Sequence, residues 1–146
     1  MKLNYNYYLF KSGVGSVIPL SSGHEANSSI SIDTSGISIN YISSSDYQIF
    51  CCNTNAIDLS DFSALYVEGL VSQISTSSSY GGSVVVASSM MVASDNLNNS
   101  KYVAKTFILT GSSTQTTIID ISSIVISGYV GIKGGIKGTI SAIYLK

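Results

Sequence analysis

Apolar residues in this chain recur at every second position, in short stretches divided by clusters of Ser, Gly and Asn. A period of two admits β-strands and little else. In Gly36–Ile42, for example, Ile37, Ile39 and Tyr41 fall on one side and Ser38 and Asn40 on the other, as in a strand with one buried face. The same reading predicts strands over Tyr5–Lys11, Ser29–Ile32, Gly36–Ile42, Tyr47–Cys52, Ala64–Ile74, Ser83–Val92, Tyr102–Leu109, Thr116–Ile121, Gly128–Lys133 and Gly138–Leu145. No amphipathic helix competes with them. About ten such segments suit a single all-β domain over residues 1–146, an antiparallel two-sheet sandwich with jelly-roll topology; spacing leaves a closed barrel open as the alternative.

The polar positions carry hydroxyls and amides more than charges. Thirty residues are Ser, and only 10% are charged where about 25% is usual. With 45% apolar residues and a mean hydropathy of +0.34, disorder is excluded. The seven cationic residues are all Lys, and the net charge is -1. Nucleic-acid binding is not expected, because it needs a cationic stripe to displace counterions and Arg forks to read bases. No window of about 18 apolar residues runs unbroken, so no transmembrane helix is predicted. The N-terminal residues Met1 to Lys11 lack the apolar stretch and cleavage site of a signal peptide.

Candidate chemistry is sparse. Cys51 and Cys52 are adjacent, so a strand sends them to opposite faces, and with His24 the lone histidine no zinc site is apparent. His24-Glu25 has no nucleophile elbow to serve. Asn27-Ser28-Ser29 and Asn98-Asn99-Ser100 match the glycosylation sequon, a match without force in the absence of a secretory signal. Gly131-Ile132-Lys133-Gly134-Gly135-Ile136-Lys137-Gly138 lacks phosphate-loop spacing and reads as a Gly-rich hairpin with Lys133 and Lys137 solvated. Ile57-Asp58-Leu59-Ser60 echoes Ile119-Asp120-Ile121-Ser122. Asp58 and Asp120 are either an acid–base pair, which glycoside hydrolysis requires about 5–9.5 Å apart, or two turns in which Asp and Ser cap the backbone. The second reading is preferred, and no enzymatic activity is expected.

Loop carboxylates Asp33, Asp46, Asp58, Asp61 and Asp95 are candidates for a structural calcium ion of the kind sandwich domains hold between loops, but no cofactor is predicted. Tyr7, Tyr8, Tyr41, Tyr47 and Tyr80 are candidates for sugar stacking. The preferred alternative packs strand tyrosines inward with the hydroxyl at the sheet rim.

Five segments occur in a telling order: Tyr8-Leu9-Phe10-Lys11-Ser12-Gly13, then Ile57-Asp58-Leu59-Ser60-Asp61-Phe62-Ser63-Ala64-Leu65-Tyr66-Val67, Ile119-Asp120-Ile121-Ser122-Ser123, Gly128-Tyr129-Val130-Gly131-Ile132 and Ile140-Ser141-Ala142-Ile143-Tyr144-Leu145. The series resembles the small jelly-roll, carbohydrate-binding-like modules of structural proteins from tailed phages and prophages of Gram-positive bacteria, over most of the chain from about residue 7. The resemblance implies a non-enzymatic virion protein, a capsid decoration or tail-surface subunit. Its partners would be phage capsid or tail proteins and further copies of itself, and its destination the virion. The alternative is a glycan-binding adhesin module that meets a cell-surface glycan. Where such modules carry a Gly-Gly-Trp-like element after the first strand, this chain reads Ser16-Val17-Ile18-Pro19-Leu20 and has no Trp, which weakens the sugar platform. Family members are often joined to larger tail proteins, whereas this sequence starts at its own Met1, so attachment through its own surface is expected.

Overall fold

The computed structural model describes residues 5–20, 29–40, 49–73, 83–91, 102–106, 113–133 and 136–146. Within these, the chain forms β1 (Tyr7–Lys11), β2 (Val14–Gly15), β3 (Val17–Pro19), β4 (Ser29–Asp33), β5 (Gly36–Asn40), β6 (Ile49–Asn53), β7 (Ile57–Asp58), a 3-10 turn (Leu59–Asp61), β8 (Ala64–Gln73), β9 (Ser83–Ala87), β10 (Tyr102–Thr106), β11 (Gln115–Asp120), β12 (Ser127–Lys133) and β13 (Ile136–Leu145). Each of the ten predicted segments overlaps one of these strands, with ends that differ by one or more residues. Period-two reasoning missed β2, β3, β7 and the 3-10 turn, which are too short to show a period. In β3, Pro19 ends a strand whose one partner among the described residues is β6, a place where a missing N–H is tolerated.

All pairings are antiparallel and fall into two sheets. Sheet I runs β11-β8-β13, with β13 flanked on its other side by β1 near its end and by β5 near its start; β2 extends β1, and β4 extends β5. Sheet II runs β10-β9-β12-β6-β3, with β7 also on β12. The partners nest: β5 pairs with β13, β6 with β12, β8 with β11 and β9 with β10. The two longest-range pairs therefore join the start of this series to its end.

Between the sheets lies one core. Leu9, Phe10, Ile37, Ile39, Leu65, Val67, Ile140, Ile143 and Leu145 enter from sheet I, and Cys51, Val84, Val86, Val130 and Ile132 from sheet II. A second cluster covers the far side of sheet II, where Cys52, Val85 and Ala87 pack with Leu20, Met91, Ile18 and Tyr129. Double-sided burial explains why β9 reads as the unbroken apolar run Val84-Val85-Val86-Ala87 instead of alternating. It also sends the two thiols to different clusters, as their adjacency predicts. Burial pushes the Cys51 thiol up to about 12, with the neighbouring Cys52 adding to the effect, so at neutral pH it stays protonated and a poor nucleophile.

The Gly-rich segment is not a hairpin. β12 belongs to sheet II and β13 to sheet I, so these consecutive strands are not partners. Lys133, expected in solvent, is 3% exposed and its ammonium is held below the usual lysine range by that burial. Its place inside sheet II, paired to Ile49 of β6 on one side and Ser83 of β9 on the other, is the reason. Lys137 is exposed as expected.

Candidate functional site

The outer face of sheet I gathers the functional groups, and two irregularities in the strands put them there. In β1 the register slips between Tyr8 and Phe10, and in β13 between Ile140 and Ala142. Each slip inserts one residue, Leu9 or Ser141, and a β-bulge of this kind resets which face the following residues occupy. Tyr8 and Lys11 thereby share the outer face while Phe10 stays in the core. Likewise Ala142 and Tyr144 face outward although Ile140 and Ile143 both point inward.

Cross-strand register then aligns these residues in rows. One row is Tyr8–Tyr144–Tyr66–Ile118, across β1, β13, β8 and β11. The next is Val14–Lys11–Ala142–Glu68–Thr116, which begins on β2. Tyr66 and Tyr144 stack at 4.8 Å between centroids with planes 11° apart, and Tyr8 lies 5.0 Å from Tyr144 at 42°. A centroid spacing equal to the roughly 4.8 Å between strands means that each ring stands on its own strand with its face against its neighbour. The Lys11 ammonium sits 4.8 Å from the centre of the Tyr8 ring, within cation–π range. The Tyr144 hydroxyl donates to Glu68 Oε1 at 3.0 Å. Burial among its neighbours, together with that bond, pushes the phenol up to about 12.

Beyond the rings the face is hydroxylic. Ser38 and Thr139 are joined Oγ to Oγ1 at 3.2 Å, and Ser141 Oγ donates to the Glu68 carbonyl at 3.2 Å. Val14, Leu70 and Ile118 stand out of it, 76%, 44% and 61% exposed. Chemically the face is nearly neutral and rich in Tyr rings, hydroxyls and isolated aliphatic groups. That composition resembles protein-binding surfaces, in which Tyr is enriched and most charges are depleted.

Of the tyrosines singled out from sequence, Tyr8 belongs to this face. Tyr7 lies at the rim, its ring centroid 5.8 Å from that of Phe62. Tyr41, Tyr47 and Tyr80 lie outside the described residues. Tyr66 and Tyr144 were not singled out, although alternation in Leu65-Tyr66-Val67-Glu68 already sets Tyr66 and Glu68 on the polar side of their strand. The inward packing expected for strand tyrosines is corrected for Tyr8, Tyr66 and Tyr144: outside the core, Tyr66 stacks on Tyr144 and Tyr8 packs against Tyr144 at a tilt.

The repeated Asp-x-Ser element is a turn. Asp58 Oδ1 accepts from Ser60 N and Ser60 Oγ at 3.1 and 2.5 Å, and Asp120 Oδ1 from Ser122 N and Oγ at 2.9 and 2.6 Å. Asp33 repeats the pattern on Ser35 N and Oγ at 2.8 and 2.5 Å. Each carboxylate thus caps the backbone two residues on. The Ser hydroxyl and amide bonds hold the Asp33 and Asp58 carboxyls below their usual value of 3.8. Both groups bind a proton less tightly folded than unfolded. Their contribution to stability is therefore complete above the unfolded value and is lost as pH falls through the lower folded one. The double variant Asp33→Asn, Asp58→Asn keeps the turn chemistry and removes the titration. Thermal melts from about pH 6 to about pH 2 are expected to show a shallower acid decline for it than for the parent; parallel curves would refute the linkage.

Among the described residues no group of three or more His, Cys, Asp and Glu is placed to hold a metal. Of the calcium candidates, Asp33 and Asp58 are engaged in their turns, Asp61 belongs to the 3-10 turn, and Asp46 and Asp95 lie outside the described residues, as do His24, Glu25 and the sequon asparagines Asn27 and Asn98. Among the described residues no helix is long and apolar enough to cross a membrane. Comparison with family models, with curated proteins and with solved structures finds no match to this chain.

Proposed function

We propose that the protein is a non-enzymatic structural subunit of a bacteriophage virion, a capsid decoration or tail-surface component, that docks through the outer face of sheet I. The observation that carries this reading is that face itself: stacked Tyr rings, hydroxyls and exposed Val14, Leu70 and Ile118, with Lys11 and Glu68 among them. Two further features support it. The order of segments resembles the phage modules, and the nested pairing of β5 with β13 inward to β9 with β10 follows the winding of a jelly roll. The test is co-sedimentation with purified particles and binding to isolated capsid and tail proteins. Ile118→Arg and Leu70→Arg place a charge at exposed positions without touching the core, and each is expected to weaken particle binding by at least about 10-fold. A protein that never associates with particles would sink the reading.

Glycan binding is the second reading, favoured by three adjacent tyrosines beside a carboxylate and an ammonium. The stack weighs against it, because a pyranose needs an open ring face and Tyr144 has Tyr8 and Tyr66 as ring neighbours. A glycan array probed with and without calcium decides the matter: saturable binding, lost in Tyr8→Ala, would favour the sugar.

A further inference from the structure

The second row of the docking face has a symmetry of charge. Lys11 and Glu68 sit on either side of Ala142, each one strand, about 4.8 Å, away from β13. Among the described residues no ion pair engages either side chain: Lys11 lies over Tyr8, and Glu68 accepts the Tyr144 hydroxyl through one oxygen. Ala142, between them, is small and buried, so nothing on the central strand of this row stands above the charges.

Resting on the reading of this face as a docking surface, we propose that in the free protein its occupant is a second copy of the same chain, face to face about a twofold axis parallel to β13, which the particle must displace. Such an axis exchanges the two sides of β13. Lys11 of each copy then stands opposite Glu68 of the other, giving two equivalent ion pairs, and the Tyr8 side of each ring row stands opposite the Tyr66 side. The contact is isologous, the arrangement by which most homodimers close.

Size is consistent with this. Five strands at about 4.8 Å and the ten residues of β13 at about 3.3 Å span roughly 24 by 33 Å. That is on the order of 800 Å² per copy, the standard for a specific interface. Lys137, on β13 itself and exposed, meets its own counterpart at the far end of the axis. Its long stem can carry the ammonium to solvent, but the encounter remains unfavourable.

Sedimentation equilibrium of the full chain over a wide concentration range tests the proposal, with thermal melts to confirm that each variant folds. The wild type is expected to dimerise. Lys11→Glu and Glu68→Lys each bring like charges together twice and are expected to raise the dimer dissociation constant at least about 10-fold, while the double exchange returns it to within about 3-fold of wild type. Lys137→Ser is expected to tighten the dimer. A wild type that stays monomeric at hundreds of micromolar would overturn the proposal, as would single reversals without effect or a double exchange that fails to restore association. The docking reading fails separately: a dimer that never joins particles leaves the twofold contact standing and removes the virion role. A monomer that binds particles through Ile118 and Leu70 does the reverse.

Discussion

Gly138→Ala is expected to destabilise the protein by about 3–5 kcal/mol, combining backbone strain with overpacking. Gly138 lies within β13, paired to Val71 of β8 on one side and Ile39 of β5 on the other. Its φ is 143°, a region that residues with a Cβ rarely adopt. A Cβ there would also overlap the Leu70 carbonyl oxygen and the Val71 Cα, and backbone held in a ladder on both flanks cannot withdraw as a side chain does. At about 2–4 °C per kcal/mol for a chain of this size, a melting temperature lower by roughly 10 °C follows. Denaturant unfolding checks the free energy. A loss under about 0.5 kcal/mol, the range of an ordinary surface substitution, would mean that β13 is misplaced between β8 and β5.

The second large effect is expected at Asn53, at the end of β6 and 0% exposed. Its Oδ1 accepts from Val130 N at 2.6 Å and its Nδ2 donates to the Asn55 carbonyl at 2.5 Å. The side chain thereby prolongs the contact between β6 and β12 by one step past the Cys52–Gly131 pair. Asn53→Ala leaves a buried N–H without a partner and opens a small cavity, a loss of about 2–4 kcal/mol. Asn53→Asp is expected to cost more at neutral pH, since it exchanges a donor for a charge in a dry site. Its stability should recover as pH falls, because a desolvated carboxyl takes up a proton more readily folded than unfolded. Denaturant midpoints at about pH 7 and about pH 4.5 separate the two variants; an Asn53→Asp protein that weakens further in acid would contradict the geometry.

Positions of strands were readable because the alternation of Ile, Val and Tyr with Ser and Asn reports one buried face directly. Turn chemistry was equally local: Asp33, Asp58 and Asp120 each bond a Ser two residues on, and such a bond is written in the tripeptide. The site was half legible. Tyr66 and Glu68 alternate outward within β8, but nothing near them in the chain indicates that Tyr8 and Tyr144 arrive on either side. Lys133 and the Gly-rich segment misled for a related reason. A Gly-Gly step between two apolar runs has one composition whether the flanking strands form a hairpin or belong to different sheets, and nothing local to Lys133 indicates that β6 and β9 pair on either side of it.

Local physics, then, settled the all-β character, the inward side of most strands, the capping turns and the divergent fates of Cys51 and Cys52, since each depends on residues within a few positions of one another. Folding in three dimensions settled which strands are neighbours. It also set the two bulges at Leu9 and Ser141, and through them the tyrosine row and the Lys11–Ala142–Glu68 spacing. Those features depend on register between strands as distant as β1 and β13. Register is selected by how the whole core packs, because a one-residue slip anywhere turns every later side chain to the opposite face.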